Sequence, residues 1–174
     1  MKSVAVVLNG ASSAGKTSIA RAMQRISLTP ILHASLDTFT DMFYWPAIVD
    51  DKTRQECHRI GVANFHTALS TLAANRFTLV VDHVLEQPAW FEASRDALRG
   101  KQTYFIGVHC PLPILEEREK ARGDRKVGLA RSQFDRVHRG RTYALELDTS
   151  VMRADDCAGS ILVFLTKEAK LSGR

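Results

Sequence analysis

The decamer NGASSAGKTS at residues 9–18 follows the apolar run VAVVL and precedes IARAMQRI, whose apolar residues recur at helical spacing. Within it, Gly10, Ala11, Ser12, Ser13, Ala14, Gly15, Lys16 and Thr17 satisfy G-x-x-x-x-G-K-[ST]. A strand, a glycine-bounded loop and a helix in this order constrain the fold more than any other feature of the chain. The glycines let the main chain curl until successive N–H groups face one centre, and a helix beginning near Lys16 adds the positive end of its dipole. Such a P-loop suits the phosphate tail of a nucleotide triphosphate. Lys16 reaches the outer phosphates, Thr17 offers a hydroxyl to Mg²⁺, and Ser18 closes the cradle.

Three further apolar runs have strand length, at residues 31–36, 77–81 and 104–108, with a shorter fifth candidate at 144–147. They are continuous rather than alternating, as strands covered on both faces should be. Between them, Ile19, Ala22, Met23 and Ile26 share one helical face, and so do Val62, Phe65, Leu69, Leu72 and Ala73. Asp155 and Asp156 can open a last helix carrying Ile161, Leu162 and Leu165, which ends near Ser172 and Gly173. Alternating strands and helices imply right-handed crossovers. The expected fold is α/β: a P-loop NTPase with a five-stranded parallel sheet flanked by helices on both faces. At 174 residues a single domain over 1–174 is expected. Residues 38–59 lack periodicity and hold Pro46 with Asp50 and Asp51, so a loop of about 38–60 reads as an irregular binding segment.

No apolar run approaches the length of a membrane span, and the apolar stretch at 4–8 is too short for a secretory signal. Cys57, Cys110 and Cys157 are far apart and odd in number, which reads as buried thiols in a reducing cytoplasm. The formal net charge of +5 gathers its basic residues in 118–141, a pattern suited to a local anion site more than to a nucleic-acid surface. The six histidines show no H-x-x-x-H spacing, and satisfied structural imidazoles are expected.

Who receives the phosphate is read from the strand ends. ILHASLDTF ends on Asp37, at the carboxyl edge where open α/β sheets place their ligands. A carboxylate there can accept a hydrogen bond from a substrate hydroxyl and aim its oxygen at the γ-phosphorus; the alternative is an aspartate capping the next helix. FTLVVDH ends on Asp82, with the position and chemistry of a Walker-B acid that holds Mg²⁺ through water, or of a turn aspartate. Phe39, Phe43, Tyr44 and Trp45 either line an apolar acceptor pocket or belong to the core. Arg118, Arg122 and Arg125 share a face if one helix runs through Gly123, as in an arginine lid over about 118–141, with Gly123 and Gly128 as hinges. The alternative is a solvated face with Glu116 and Lys120 paired.

The segments LNGASSAGKTS, LDTF, VVDHV, GVHCPLPILEEREKARGDRKVG and VHRGRTYALELDTS together resemble the chloramphenicol phosphotransferases and their relatives, over nearly the whole chain. The ARGDR block downstream of GVHC is the more specific part. The resemblance implies transfer of a phosphoryl group from ATP to a hydroxyl of a small acceptor, on a fold similar to the nucleoside monophosphate kinases. It carries the family's P-loop onto residues 10–17, its catalytic aspartate onto Asp37 and its lid arginines onto Arg122 and Arg125. His83 stands where relatives tend to carry a second acid, and Ala144 where they tend to carry Asp.

The leading expectation is therefore an ATP-dependent O-phosphotransferase acting on an antibiotic-like or metabolite alcohol. A nucleotide, shikimate or gluconate type kinase is a second enzyme reading, with Lys52, Arg54 and Arg59 available for an anionic acceptor. A nucleotide-dependent switch is a third, without an N-K-x-D signature to support it. No nucleic-acid or membrane partner is expected.

Overall fold

The computed structural model describes residues 3–123 and 127–172. Five strands, β1 (Val4–Asn9), β2 (Ile31–Ser35), β3 (Thr78–His83), β4 (Gln102–His109) and β5 (Leu145–Asp148), pair in the order β2-β3-β1-β4-β5. Every pairing is parallel. The helices are α1 (Lys16–Ile26), α2 (Leu36–Thr40), α3 (Asp51–Ala73), α4 (Pro88–Ala97), α5 (Leu112–Arg122), α6 (Leu129–Val137) and α7 (Ala154–Ser172). This is the expected α/β sheet with helices on both faces.

The strands read as unbroken apolar runs because each face of the sheet has its own core. Val4, Val6 and Leu8 of β1 point to one side, against Ile19 and Met23 of α1 and Ile161 and Leu165 of α7. Ala5 and Val7 point to the other, against Phe65 and Leu69 of α3. The period of two also decides the end of β3. Asp82 shares the parity of Val80, on the α1 side, whereas His83 shares that of Val81, on the α3 side. Leu8 and Ser35 both stand in register with Asp82, so the carboxyl ends of β1, β2 and β3 form one edge.

Several expectations change here. Residues 38–59 are not one irregular loop. They contain the end of α2, a 3-10 turn at Trp45–Ala47 and the first two turns of α3, which leaves only 41–44 and 48–50 irregular. Asp50 caps α3 by accepting from the Thr53 N–H at 2.7 Å. The first turns of α3 carry almost no buried residue before Cys57, so apolar spacing gives no signal there. Ile26, placed on the buried face of α1, is 41% exposed at the helix end. The helical face expected through Gly123 stops at Arg122: Gly123 adopts φ 66°, left-handed, and terminates α5. Glu116 pairs with Arg131 at 2.7 Å rather than with Lys120. The three cysteines are buried and free, as expected. No helix among the described residues is long and apolar enough to cross a membrane.

Candidate active site

The P-loop is shaped by two close approaches. A Cβ on Gly10 would lie 2.4 Å from the Val108 carbonyl oxygen, so only glycine lets the loop leave β1 against β4. Gly15 (φ 91°) and Ser13 (φ 63°) are both left-handed and turn the chain into α1. Gly15 at the N-cap of α1 has no side chain to cap the helix, so the first turn meets the loop without a side-chain acceptor from its cap. The loop is braced from behind. Thr149 donates through Oγ1 to the Ala14 carbonyl at 2.9 Å, and Gln133 of α6 accepts the Ser12 N–H at 2.8 Å. Lys16 is buried and folds its Nζ onto the Gly10 and Ala11 carbonyls, both at 2.9 Å.

Beside the loop, the Thr17 hydroxyl donates to Asp82 Oδ2 at 2.6 Å. His33 Nε2 lies 3.7 Å from the same oxygen, an electrostatic contact rather than a hydrogen bond. Burial raises the Asp82 pKa, but His33, the Lys16 charge and the Thr17 hydroxyl outweigh it and hold the carboxyl below the usual range. A buried, ionised carboxylate next to a threonine hydroxyl is a hard oxygen donor set that fits Mg²⁺. His83, one residue on, lies in the α3 side of the core. It stacks on Trp90 and meets His66 at 3.0 Å between Nε2 atoms, and burial first, then the neighbouring His66, keeps it well below the ordinary imidazole pKa.

Asp37 lies in the first turn of α2, two residues beyond the end of β2 rather than on the strand. It is not the cap of that helix: Ser35 holds the N-cap position. Its place follows from two adjoining cavities. The first, about 660 Å³, is lined by the P-loop, Asp82, Arg118 and the segment 149–154. The second, about 810 Å³, is lined by Arg21, His33, Asp41, Trp45 and His58 among others. Thr17, Ser18, Asp37 and Arg122 line both.

Residues 3–166 match the family model described as chloramphenicol phosphotransferase-like protein. The chain belongs to that family. A relative of this chloramphenicol phosphotransferase-like chain is a protein of Mycobacterium tuberculosis named "Putative O-phosphotransferase Rv2636", 25% identical over 88% of this chain and 78% of its own. Among solved structures, the APS kinase CysC of M. tuberculosis superposes with a TM-score of 0.71 at 17% identity, covering 95% of this chain and 98% of that one. A gluconokinase from Sinorhizobium meliloti 1021 gives 0.66 at 18% identity, covering 96% and 94%. These likenesses establish a P-loop kinase fold for this chloramphenicol phosphotransferase-like chain.

Within that fold, the residues singled out from the sequence separate into groups. Lys16, Thr17, Asp82, Asp37 and Arg122 come together around the junction of the cavities. Arg125 lies outside the described residues. Arg118 lines the first cavity, but its guanidinium donates to the Thr149 carbonyl oxygen at 2.7 Å and to Oγ1 at 3.1 Å, a fixed strut rather than part of a lid face. Of the four aromatics, Trp45 lines the second cavity. Phe39 packs edge-on against Phe65 in the α3 core, Tyr44 is 75% exposed, and Phe43 leans on Trp45. Of the two readings, pocket or core, Phe39 follows the second, and Trp45 alone of the four lines either of the two cavities. Sequence reasoning missed Gln133, Thr149 and Asn9. Asn9 accepts the Leu85 N–H and donates to the Val137 carbonyl and the Tyr143 hydroxyl. Each bond spans at least 76 residues of chain, so no local pattern announces it.

Proposed function

We infer that this protein is an ATP-dependent O-phosphotransferase that moves the γ-phosphate to a hydroxyl of a small molecule. One observation carries this reading: a P-loop cavity and a second, comparably large cavity share Thr17, Ser18, Asp37 and Arg122. A switch or binding module needs only the first. A transferase needs two bound molecules with their reacting ends in one place, which is where most of its rate advantage arises.

In this reading residues 10–18 hold the triphosphate through backbone N–H groups, with Lys16 turning from the loop's own carbonyls toward the outer phosphates. Thr17 and Asp82 hold Mg²⁺, which when bound draws charge from the phosphate oxygens. Asp37 accepts the acceptor's hydroxyl proton as that oxygen bonds to the γ-phosphorus and the bond to the ADP oxygen breaks. Arg122, with Arg125 as a second candidate, neutralises charge on the transferring group.

The acceptor suggested by the family is a chloramphenicol-like alcohol, which would make antibiotic resistance one role. The polar lining of the second cavity favours the metabolite alcohol over the antibiotic-like one. The test is ADP release with and without added alcohols, followed by the mass of the product. Release that depends on an alcohol and a product heavier by one phosphoryl group are expected; equal release without any alcohol would replace the transferase by a switch.

A further inference from the structure

We propose that the second cavity takes a small polyhydroxylated acceptor, of the sugar-alcohol or sugar-acid kind, and that Arg21 and Asp41 set this specificity. The proposal rests on the phosphotransfer reading above and adds the class of molecule phosphorylated.

The described residues lining that cavity are almost all hydrogen-bonding ones. Besides Asp37 and Arg122 they include Arg21 from α1, His33 and Ser35 from β2, Thr38 and Asp41 around α2, and His58 from α3. Only Trp45 and Leu129 are apolar. An aryl alcohol filling this space would cover these groups without giving them partners. A site built to hydrogen-bond hydroxyls rejects analogues that lack them by large factors, whereas an added hydroxyl is poorly rejected by an apolar pocket. A polyol meets each wall: Asp41 accepts from a hydroxyl, Arg21 donates to one, and the indole of Trp45 covers a C–H face.

The charges are balanced as well. Arg21 and Arg122 face Asp37 and Asp41 around the cavity, so among the described residues the lining carries no formal excess that would demand an anion. Among the described residues Arg21 makes no ion pair, and its guanidinium is the donor to which a carboxylate-bearing sugar acid would also turn. Adjacent hydroxyls are the chemistry common to both sources. The first cavity contrasts with this one: Ile19, Leu36, Val84, Val151 and Met152 give it apolar wall, suited to a flat base.

The experiment compares ADP release by the full chain with neutral polyols and aldoses of four to six carbons, the matching aldonates, and aryl-substituted 1,3-diols including chloramphenicol. A kcat/KM at least about ten-fold higher for a polyol or aldonate than for any aryl diol is expected. Arg21→Gln and Asp41→Asn should each raise the KM of the preferred acceptor about ten-fold, with affinity for an ATP analogue within about two-fold of the parent. The neutral and aldonate arms identify which source the site serves. Equal or better transfer to the aryl diols, or variants with unchanged KM, would overturn the polyol assignment alone. ATP turnover indifferent to every alcohol would overturn the phosphotransfer reading itself, and the assignment with it.

Discussion

Asp37 and Gly10 make opposite kinds of demand on the chain. Asp37 sits half-buried in a single-turn helix, and the proposed reaction wants its carboxylate for what it accepts. Asp37→Asn keeps the shape and removes the base, so kcat should fall about 10²–10⁴-fold while the affinity for an ATP analogue is unchanged; stopped-flow turnover beside equilibrium binding separates the two. Gly10 is wanted for what it lacks. In Gly10→Ala the new methyl meets a backbone oxygen of β4 at 2.4 Å, and neither partner can swing away. That overpacking should cost about 1–3 kcal/mol, read as a lower midpoint in urea, and should weaken nucleotide binding because the cradle cannot sit against the sheet.

At the scale of elements, α6 is the piece most dependent on a single side chain. Its start is left-handed Gly128, which has no capping side chain, and buried Glu119 from α5 supplies the missing acceptor to the Gly128 and Ala130 N–H groups at 2.7 and 2.8 Å. Glu119→Ala should destabilise the protein by about 2–3 kcal/mol, a fall in Tm of roughly 5–10 °C, and Glu119→Gln by less, because one amide oxygen remains to accept. Since Gln133 of the same helix holds the Ser12 N–H, Glu119→Ala should also raise the Kd for nucleotide, measurable by fluorescence titration.

These couplings explain what was and was not legible beforehand. The five strands were, because a strand buried on both faces must be apolar throughout. So was the P-loop, because its spacing is local. The start of α3 was hidden by its exposure, and the fate of Phe39 by its partner Phe65, 26 positions on, against which it packs. Arg118 was legible as a candidate lid cation but not as a strut, since Thr149 reaches it only through the fold of the sheet.

For the molecule as a whole, the strand order puts β1 at the centre and gathers the site at one carboxyl edge. Burial, then the stacked His109, brings His138 down to about 4, with Glu146 opposing. Burial lowers His66 and His83 too. A histidine whose folded pKa is depressed is neutral in both states above about pH 6.5, and below it the unfolded chain binds the proton first, so stability falls as pH drops toward 4. Tm should therefore decrease by at least about 4 °C between pH 7 and pH 5, and His138→Gln should flatten part of that slope in a calorimetric series.

A wall common to two chambers has a thermodynamic cost and use. Whatever the first guest does to the orientation or charge of Asp37 and Arg122 is felt by the second, and the factor by which one tightens or loosens the other must be the same in both directions. Titrating either guest in the presence of the other measures one number twice.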